Sequence, residues 1–438
     1  MTSVTNMRLI VDGTELPRTA DAMPAAVAAG EGIQLSFASE LSFDHAGPAT
    51  LEWQMIRPAL SRLPLPAIDA VVELRADIHD ASVREDRLLF RGRIDGITEH
   101  PRERYSSDLD GIQRITLTAT DAIGQLQRTR IGQPPWPAES PQARATRIYN
   151  LFPDLLTPPS TWTGSPGGEV APIDVDNRAP WEILTRSFPR PWGILATGDD
   201  GRVHSWSNQY TSHGGTLTRS GDDPWYLTGA RPSPLSAHAI TEIDRAESYA
   251  TGISTVSISQ VYTAAGHDPT ERSVTYGNRH SAGQAVTIDT DLLATVTGDP
   301  STVTVTPRSL LIDTAQEMLA TAATAPASLD TLTAPLSQID AYGVTELLQS
   351  GLQRWGTIVS LDTPMYGIPM GHLITGATFT LDVRPDRQTV ELSVVPAQLG
   401  LYRSITFDGM SRHPEVVFAD MRTTWFSDFP FIETVRTF

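Results

Sequence analysis

The chain has 438 residues, of which 40% are hydrophobic and 19% are charged, a balance that argues against a fibrous or disordered protein. Its formal net charge of −18 argues against a nucleic-acid-binding surface, because such binding depends on neutralising phosphates. No apolar run approaches the ~18 residues of a membrane span, and the N-terminus lacks a secretory signal. We therefore expect a soluble protein made in the cytoplasm, with no membrane span and no specific nucleic-acid binding.

Residues 1–133 are predicted to form a first β-barrel-like domain. Apolar and polar residues alternate in several stretches, which is the period-two pattern of half-buried strands. The clearest stretch is 87–131, where two strands are joined by a polar connection and followed by a short helix with Asp121 at its N-cap. Together with the strands before it, this stretch brings the number of predicted strands up to Thr120 to about five or six. The simplest fold for so few strands is a small antiparallel barrel or sandwich.

Residues 134–239 are predicted to form an intervening α+β domain. A stiff proline-rich linker precedes a helix that begins at Ser140 and Pro141, a polar cap followed by proline. A second helix has Pro180 in its first turn, and a β-hairpin follows around residues 199–201. Trp136 and Trp162 lie in proline-rich loops, so we identify both as candidates for contacts with other proteins.

Residues 240–400 are predicted to form a second β-barrel-like domain with an inserted helix at 307–325. Residues 252–262 alternate throughout, and later strands are predicted at 357–361, 373–383 and 389–395. The expected fold class is therefore mainly β with α+β insertions, arranged as two small β-barrel-like domains with intervening α/β segments.

Residues 401–438, which we call the C-terminal arm, are rich in aromatic side chains. Such residues would form a contiguous apolar patch if they were exposed, so we expect the arm to pack on a neighbouring subunit or another protein. Its interface candidates are Tyr402, Phe407, Trp425, Phe426, Phe429, Phe431 and Phe438.

No residue is assigned a catalytic, cofactor-binding or metal-binding role, and we expect neither an enzyme nor a cofactor. The acidic pairs at 108/110, 199/200 and 222/223 are compatible with a glycosidase or a calcium site, but each lies in a predicted turn, where Asp is common. The ten histidines show no HxH or HExxH spacing. The chain has no cysteine, and all 33 of its basic residues are arginine, which excludes thiolate metal sites and catalytic lysines.

Three motifs carry a family resemblance by their order along the chain. They are FRGRIDGI followed by ITLTATDAIGQLQR, then PWEILTRSFPRPWGILATGDDGRVHSW, then WGTIVSLDTPMYGIPMGHLITGATFTLD with TVELSVVPA. In this order they resemble the tail hub (baseplate hub) proteins of tailed bacteriophages, particularly minor tail proteins of actinobacterial siphophages. The resemblance covers roughly residues 30 to 400, and the aromatic C-terminal arm has no place in the family pattern.

The resemblance implies a non-catalytic structural protein of the virion, located in the tail tip or baseplate. It implies a homotrimer of two-barrel subunits, whose ring adapts a sixfold tail tube to threefold distal components and gives passage to the tape measure protein and DNA during genome ejection. The implied partners are the distal tail protein, the tape measure protein and other minor tail or baseplate proteins.

Two questions stay open at this point. The alternative function is a tail-associated protein that binds or hydrolyses cell walls, although the roughly forty residues after the second β region are few for a catalytic domain. The acidity serves either solubility in general or a channel wall that repels DNA, with Glu99, Glu103, Asp108 and Asp110 as contributors.

Overall fold

A computed structural model of the protein describes most of the chain in separate stretches. The described residues are 3–16, 32–38, 45–58, 65–79, 83–100, 112–162, 166–207, 233–235, 242–246, 253–277, 284–304, 310–322, 328–336, 358–361, 371–382 and 384–396.

The first β region contributes seven of the described strands, and their side chains alternate between interior and surface. In β5 every second residue is buried, as the period-two pattern predicts. The strands are β1 Ser3–Val11, β2 Thr14–Glu15, β3 Ile33–Ala38, β4 Thr50–Pro58, β5 Val71–His79, β6 Val83–Glu99 and β7 Ile112–Thr120.

Helices and a hairpin follow, and their ends agree with the sequence signals. Asp121 Oδ1 accepts a hydrogen bond from the Gly124 N–H at 3.1 Å, and Ser140 Oγ accepts one from the Ala143 N–H at 3.1 Å. Pro180 occupies the first turn of its helix, where a missing N–H costs nothing. The elements are α1 Ala122–Arg128, α2 Pro141–Leu151, α3 Pro180–Ser187, and the antiparallel pair β8 Gly193–Thr197 and β9 Val203–Ser207.

The rest of the described chain is again mostly β, with one helix. That helix occupies the middle of the predicted 307–325 segment. The elements are β10 Ser233–Leu235, β11 Glu242–Ala246, β12 Ile253–Thr263, β13 Thr270–Gly277, β14 Gln284–Thr295, α4 Leu310–Ala322, β15 Ser328–Pro335, β16 Ile358–Leu361, β17 Gly371–Leu381 and β18 Thr389–Pro396.

Thirteen of the described strands form one large sheet that includes strands from both β regions. Its order is β11-β15-β18-β17-β3-β4-β7-β6-β5-β1-β2, with β16 paired to β17 and β10 paired to β16. The two regions join where β3 and β17 pair antiparallel, with Leu35 opposite Phe379. A second link is the buried side chain of Gln388, which accepts from the Val4 N–H and donates to the Val4 carbonyl.

One large hydrophobic core lies against this sheet, and we call it the main core. It contains fully buried side chains from the first β region, the helical segment and the last strands, such as Trp53, Leu184 and Phe379. Burial on this scale is the main source of folding stability, because each large apolar side chain removed from water contributes about 1.5–3 kcal/mol.

The strands β12, β13 and β14 and the helix α4 form a separate unit, which we call the inserted unit. Its three strands make a sheet in the order β13-β12-β14, with β12 and β14 parallel. Its small core includes Val256, Ile258 and Leu311. In sequence the unit lies between β11 and β15, two strands that pair with each other in the large sheet. Residues 252–262, which the sequence analysis grouped with the second β-barrel-like domain, thus contribute their strand to a different sheet.

The predicted fold class, mainly β with α+β insertions, is confirmed. Strands predominate, and the described helices α1 to α4 are short. Within the described residues, no helix is long and apolar enough to cross a membrane.

Replacing Gly92 tests the packing of the large sheet, because this residue lies at a position of β6 that has no room for a side chain. A Cβ at this position would lie 2.2 Å from the Thr120 carbonyl oxygen and 2.6 Å from Phe90 Cζ. We expect Gly92→Ala to lower the free energy of unfolding by about 1–3 kcal/mol, measured by denaturant unfolding. Gly132→Ala is the matched control, since its Cβ would meet no atom within 4 Å. Equal stability of the two variants would contradict this packing.

Candidate interaction site

A cleft of about 300 Å³ lies between the main core and the inserted unit. One wall is formed by α3 and the short 3-10 helix Arg190–Trp192, and the other by β14 and α4. The lining mixes apolar side chains with a few polar groups, which is the usual composition of a binding site. The lining includes His45, Arg186, Pro189, Arg190, Pro191 and Met318.

His45 contributes a neutral imidazole to this cleft. Its Nδ1 accepts a hydrogen bond from the Leu195 N–H at 3.0 Å, so the ring proton resides on Nε2. Burial and the charge of Arg190 lower the pKa of His45 to about 3. The carbonyls of Phe188 and Thr185 oppose this shift, but Nε2 makes no hydrogen bond with any described residue. Nε2 is itself buried and faces these two backbone carbonyls rather than open solvent.

Arg186 of α3 is the charged link between the main core and the inserted unit. Its Nε donates to Asp291 Oδ1 at 2.7 Å, and its Nη2 donates to Glu271 Oε1 at 2.7 Å. Thr290 Oγ1 donates to the Arg186 carbonyl at 3.0 Å. Hydrogen bonding to Arg186 lowers the pKa of Glu271, and the two carboxylates raise the pKa of Arg186 although burial opposes this. Glu271 is therefore ionised at neutral pH, and the two carboxylates together hold the guanidinium in place.

A short backbone ladder joins the same two parts. The Ala171 N–H donates to the Asp291 carbonyl at 2.8 Å, and the Leu293 N–H donates to the Glu169 carbonyl at 2.9 Å. Val170 and Leu292 form an antiparallel bridge between these two bonds. Residues 169–171 therefore act as an added strand on the outer edge of β14.

Trp136 and Trp162 lie inside the main core, with exposed fractions of 4% and 6%. Trp136 Nε1 donates to Gln133 Oε1 at 3.2 Å, and Trp162 Nε1 donates to Thr157 Oγ1 at 3.0 Å. Their burial argues against the prediction that they contact other proteins. A proline-rich sequence indicates an irregular backbone, but it does not indicate whether an indole with an internal hydrogen-bond partner packs inward.

The other candidates from the sequence are placed only in part. Asp199 and Asp200 lie at the β8–β9 turn, where Asp200 Oδ1 accepts from the Arg202 N–H and is 2.8 Å from His204 Nε2. Glu99 is exposed at the end of β6. The remaining candidates lie outside the described residues. The acidic ones are Glu103, Asp108, Asp110, Asp222 and Asp223, and those of the C-terminal arm are Tyr402, Phe407, Trp425, Phe426, Phe429, Phe431 and Phe438. Within the described residues, no three His, Asp or Glu side chains are grouped to hold a metal ion.

Sequence reasoning did not identify His45, Arg186 or Asp291. Each reaches a partner far along the chain: the two atoms of the Arg186–Asp291 bond belong to residues 105 positions apart, and those of the Leu195–His45 bond to residues 150 apart. No local pattern signals such contacts, because only the packing of α3 on β14 brings the groups together.

Comparisons with known proteins identify the fold. No protein-family model matches the chain, and no curated protein has a matching sequence. Among solved structures, the 43 kDa tail protein of prophage MuSo2 from Shewanella oneidensis aligns over 91% of this chain and 99% of its own, at 12% identity and a TM-score of 0.51. The fold is similar to that of this phage tail protein.

Two further tail proteins have weaker structural similarity. One from Neisseria meningitidis covers 92% of this chain and all of its own, at 13% identity and a TM-score of 0.49. A prophage tail protein from Listeria monocytogenes covers 94% of this chain and 98% of its own, at 8% identity and a TM-score of 0.42. The similarity to the Shewanella protein confirms the resemblance to phage tail proteins at the level of the fold, and the link to actinobacterial siphophages stays a prediction.

Replacing Arg186 tests the link between the main core and the inserted unit. We expect Arg186→Met to lower the free energy of unfolding by about 3 kcal/mol, because Asp291, which is 5% exposed, loses its partner. Hydrogen exchange should show the largest loss of protection in β14 and α4. The matched control is Arg178→Met, because its pair with Glu182 is exposed and should contribute less than about 1 kcal/mol. Equal effects of the two substitutions would contradict the assigned role.

The lowered pKa of His45 predicts a pH dependence of stability. The unfolded chain takes up a proton near the ordinary pKa of 6.5, whereas the folded chain does so only at about 3. Stability from this group is therefore complete above pH 6.5 and is lost as the pH falls towards 3. His45→Asn retains an acceptor for the Leu195 N–H but cannot titrate.

The measurement is denaturant unfolding of both proteins between pH 7 and pH 5, above the range in which carboxylates titrate. We expect the wild type to lose about 1–2 kcal/mol more than His45→Asn over this interval. If the free energy of unfolding changed with pH equally in the two proteins, His45 would be accessible to protons in the folded state.

Proposed function

We propose that this protein is a structural hub of a bacteriophage tail tip or baseplate. The observation that carries the proposal is the similarity of nearly the whole chain to nearly the whole prophage tail protein of Shewanella oneidensis, with 91% and 99% coverage. Similarity of this extent covers both β regions and the segment between them, so it concerns the architecture of the entire subunit. At 12% identity it supports a shared fold, and the function follows from the fold together with the sequence motifs.

In this proposal three copies form a ring around a channel. Each copy supplies two β regions, so three copies present six similar positions, which lets a threefold ring meet a sixfold tail tube. The joining of the two regions in one sheet through β3 and β17 supports this arrangement, because it fixes the two positions within a subunit relative to each other. The ring would give passage to the tape measure protein and then to DNA during ejection.

We further propose a division of labour along the chain. Residues 1–133 and 240–400 supply the two hub regions, 134–239 connects them, and the C-terminal arm 401–438 makes contacts outside the subunit. The proposed partners are the distal tail protein, the tape measure protein and other minor tail or baseplate proteins, within a virion assembled after synthesis in the host cytoplasm. The role requires no catalysis and no cofactor.

The oligomeric state tests this function. We expect three copies per ring, measured by native mass spectrometry of the protein purified alone or with its neighbouring tail proteins, and by electron microscopy of the tail tip. A ring of six copies or an open head-to-tail chain would contradict the proposal. Release of soluble sugar or peptide fragments from host cell walls by the purified protein would favour the cell-wall alternative instead.

A further inference from the structure

We propose that the outer edge of β14 binds an extended segment of the C-terminal arm of a second copy of this chain. The bound segment would add a strand to the inserted unit and place one aromatic side chain in the cleft beside His45. The choice of a second copy rests on the proposed ring, whereas the binding edge itself is argued from the structure.

The first observation is that β14 presents its edge to the cleft. Four consecutive residues, Val286, Thr287, Ile288 and Asp289, line it. Successive side chains of a strand point to opposite faces of the sheet. A cleft on one face would contact only every second residue, so a cleft that contacts four consecutive residues lies along the edge of the strand. The other edge of β14 is occupied by β12. No described residue pairs with the outer edge at these four positions.

The second observation is that this edge already accepts an extended chain a few residues further on. Residues 169–171 pair antiparallel with β14 around Leu292. The ladder to β14 ends after Ala171, because the chain turns away and the Ile173 N–H donates to the Trp136 carbonyl instead. The edge thus continues beyond the ladder into the cleft, where another extended segment can continue the pairing by strand addition.

The third observation is the chemistry of the opposite wall. Pro189, Pro191 and Met318 give the cleft apolar surface beside the Arg190 guanidinium. Methionine sulfur and arginine both make favourable contacts with aromatic rings. A cleft of about 300 Å³ is at the small end of binding sites, which suits a single side chain.

The C-terminal arm has the chemistry and the length for this site. The described chain ends at Pro396 of β18, and the arm that follows contains closely spaced aromatic residues at 425, 426, 429 and 431. An extended chain spans ~3.3 Å per residue, so residues 397–438 can reach on the order of 100 Å, far enough for a neighbouring subunit. Strand addition uses mainly backbone hydrogen bonds, so the arm needs only one suitable side chain for the cleft.

Disulfide trapping tests the proposal on the full-length protein. Because the chain has no cysteine, each introduced cysteine is unique. One preparation carries Thr287→Cys, at an exposed position of the β14 edge, and a differently tagged preparation carries Ser427→Cys in the arm. Thr423→Cys and Thr434→Cys in separate preparations cover other registers of the arm. The two preparations are mixed, allowed to assemble and oxidised.

We expect a disulfide between the two tags for Thr287→Cys with at least one arm position, formed at least tenfold faster than with Ser273→Cys. Ser273 is the control because it is exposed on β13, on the other side of β12 from the cleft. A disulfide requires Cα atoms about 4.4–6.8 Å apart, so trapping reports direct contact. Thermal unfolding of each variant confirms that the single substitutions leave the fold intact.

The remaining outcomes each overturn the proposal. No trapping at any arm position, or trapping equal to that of Ser273→Cys, shows that the arm does not bind this edge. A protein carrying both substitutions that forms only an internal disulfide shows that the arm binds its own subunit. If native mass spectrometry shows three copies but no disulfide forms, this inference is overturned while the proposed hub function stands. Failure of the inference is therefore distinguishable from failure of the proposed function.

Discussion

The antiparallel pairing of β3 with β17 is the constraint on which the rest of the structure depends. It joins residues more than 300 positions apart: Ser36 Oγ donates to Thr378 Oγ1 across 342 residues, and the rings of Phe37 and Phe379 lie 6.0 Å apart. Closing such a long loop costs little more than closing a short one, because the entropic cost rises only with the logarithm of length. Once it is closed, both β regions share one sheet and one core, and the helical segment packs against that core.

The inserted unit is attached in a different way. It has a small core of its own, and Trp192, which lies outside the unit, packs against that core. The attachment also uses the Arg186 ion pairs, the Thr290 hydrogen bond and the ladder at residues 169–171. Directional polar contacts fix an orientation but fill little volume, and the cleft lies beside them. Asp291 Oδ2 lacks a hydrogen-bond partner among the described residues, which places one unsatisfied buried oxygen at this junction.

The agreement of folds at 12% identity with the Shewanella tail protein has a simple physical basis. A strand of the large sheet requires alternation of apolar and polar residues, and many sequences satisfy it if volume and pattern are kept. Sequences can therefore diverge widely while the sheet persists.

The sequence by itself determined the local elements. The alternation in β5, the Asp121 and Ser140 caps and the turn at Asp199 and Asp200 depend on neighbouring residues, and all were placed from the sequence. It also determined the mainly β class and, through the order of its motifs, the likeness to phage tail proteins. Only the tertiary structure decided that β12 belongs to a separate inserted unit, that Trp136 and Trp162 point inward, and that His45 and Arg186 meet at a cleft. The reason is that sheet membership, burial and long-range ion pairs depend on which elements pack together, and the period of a strand is the same whichever sheet it joins.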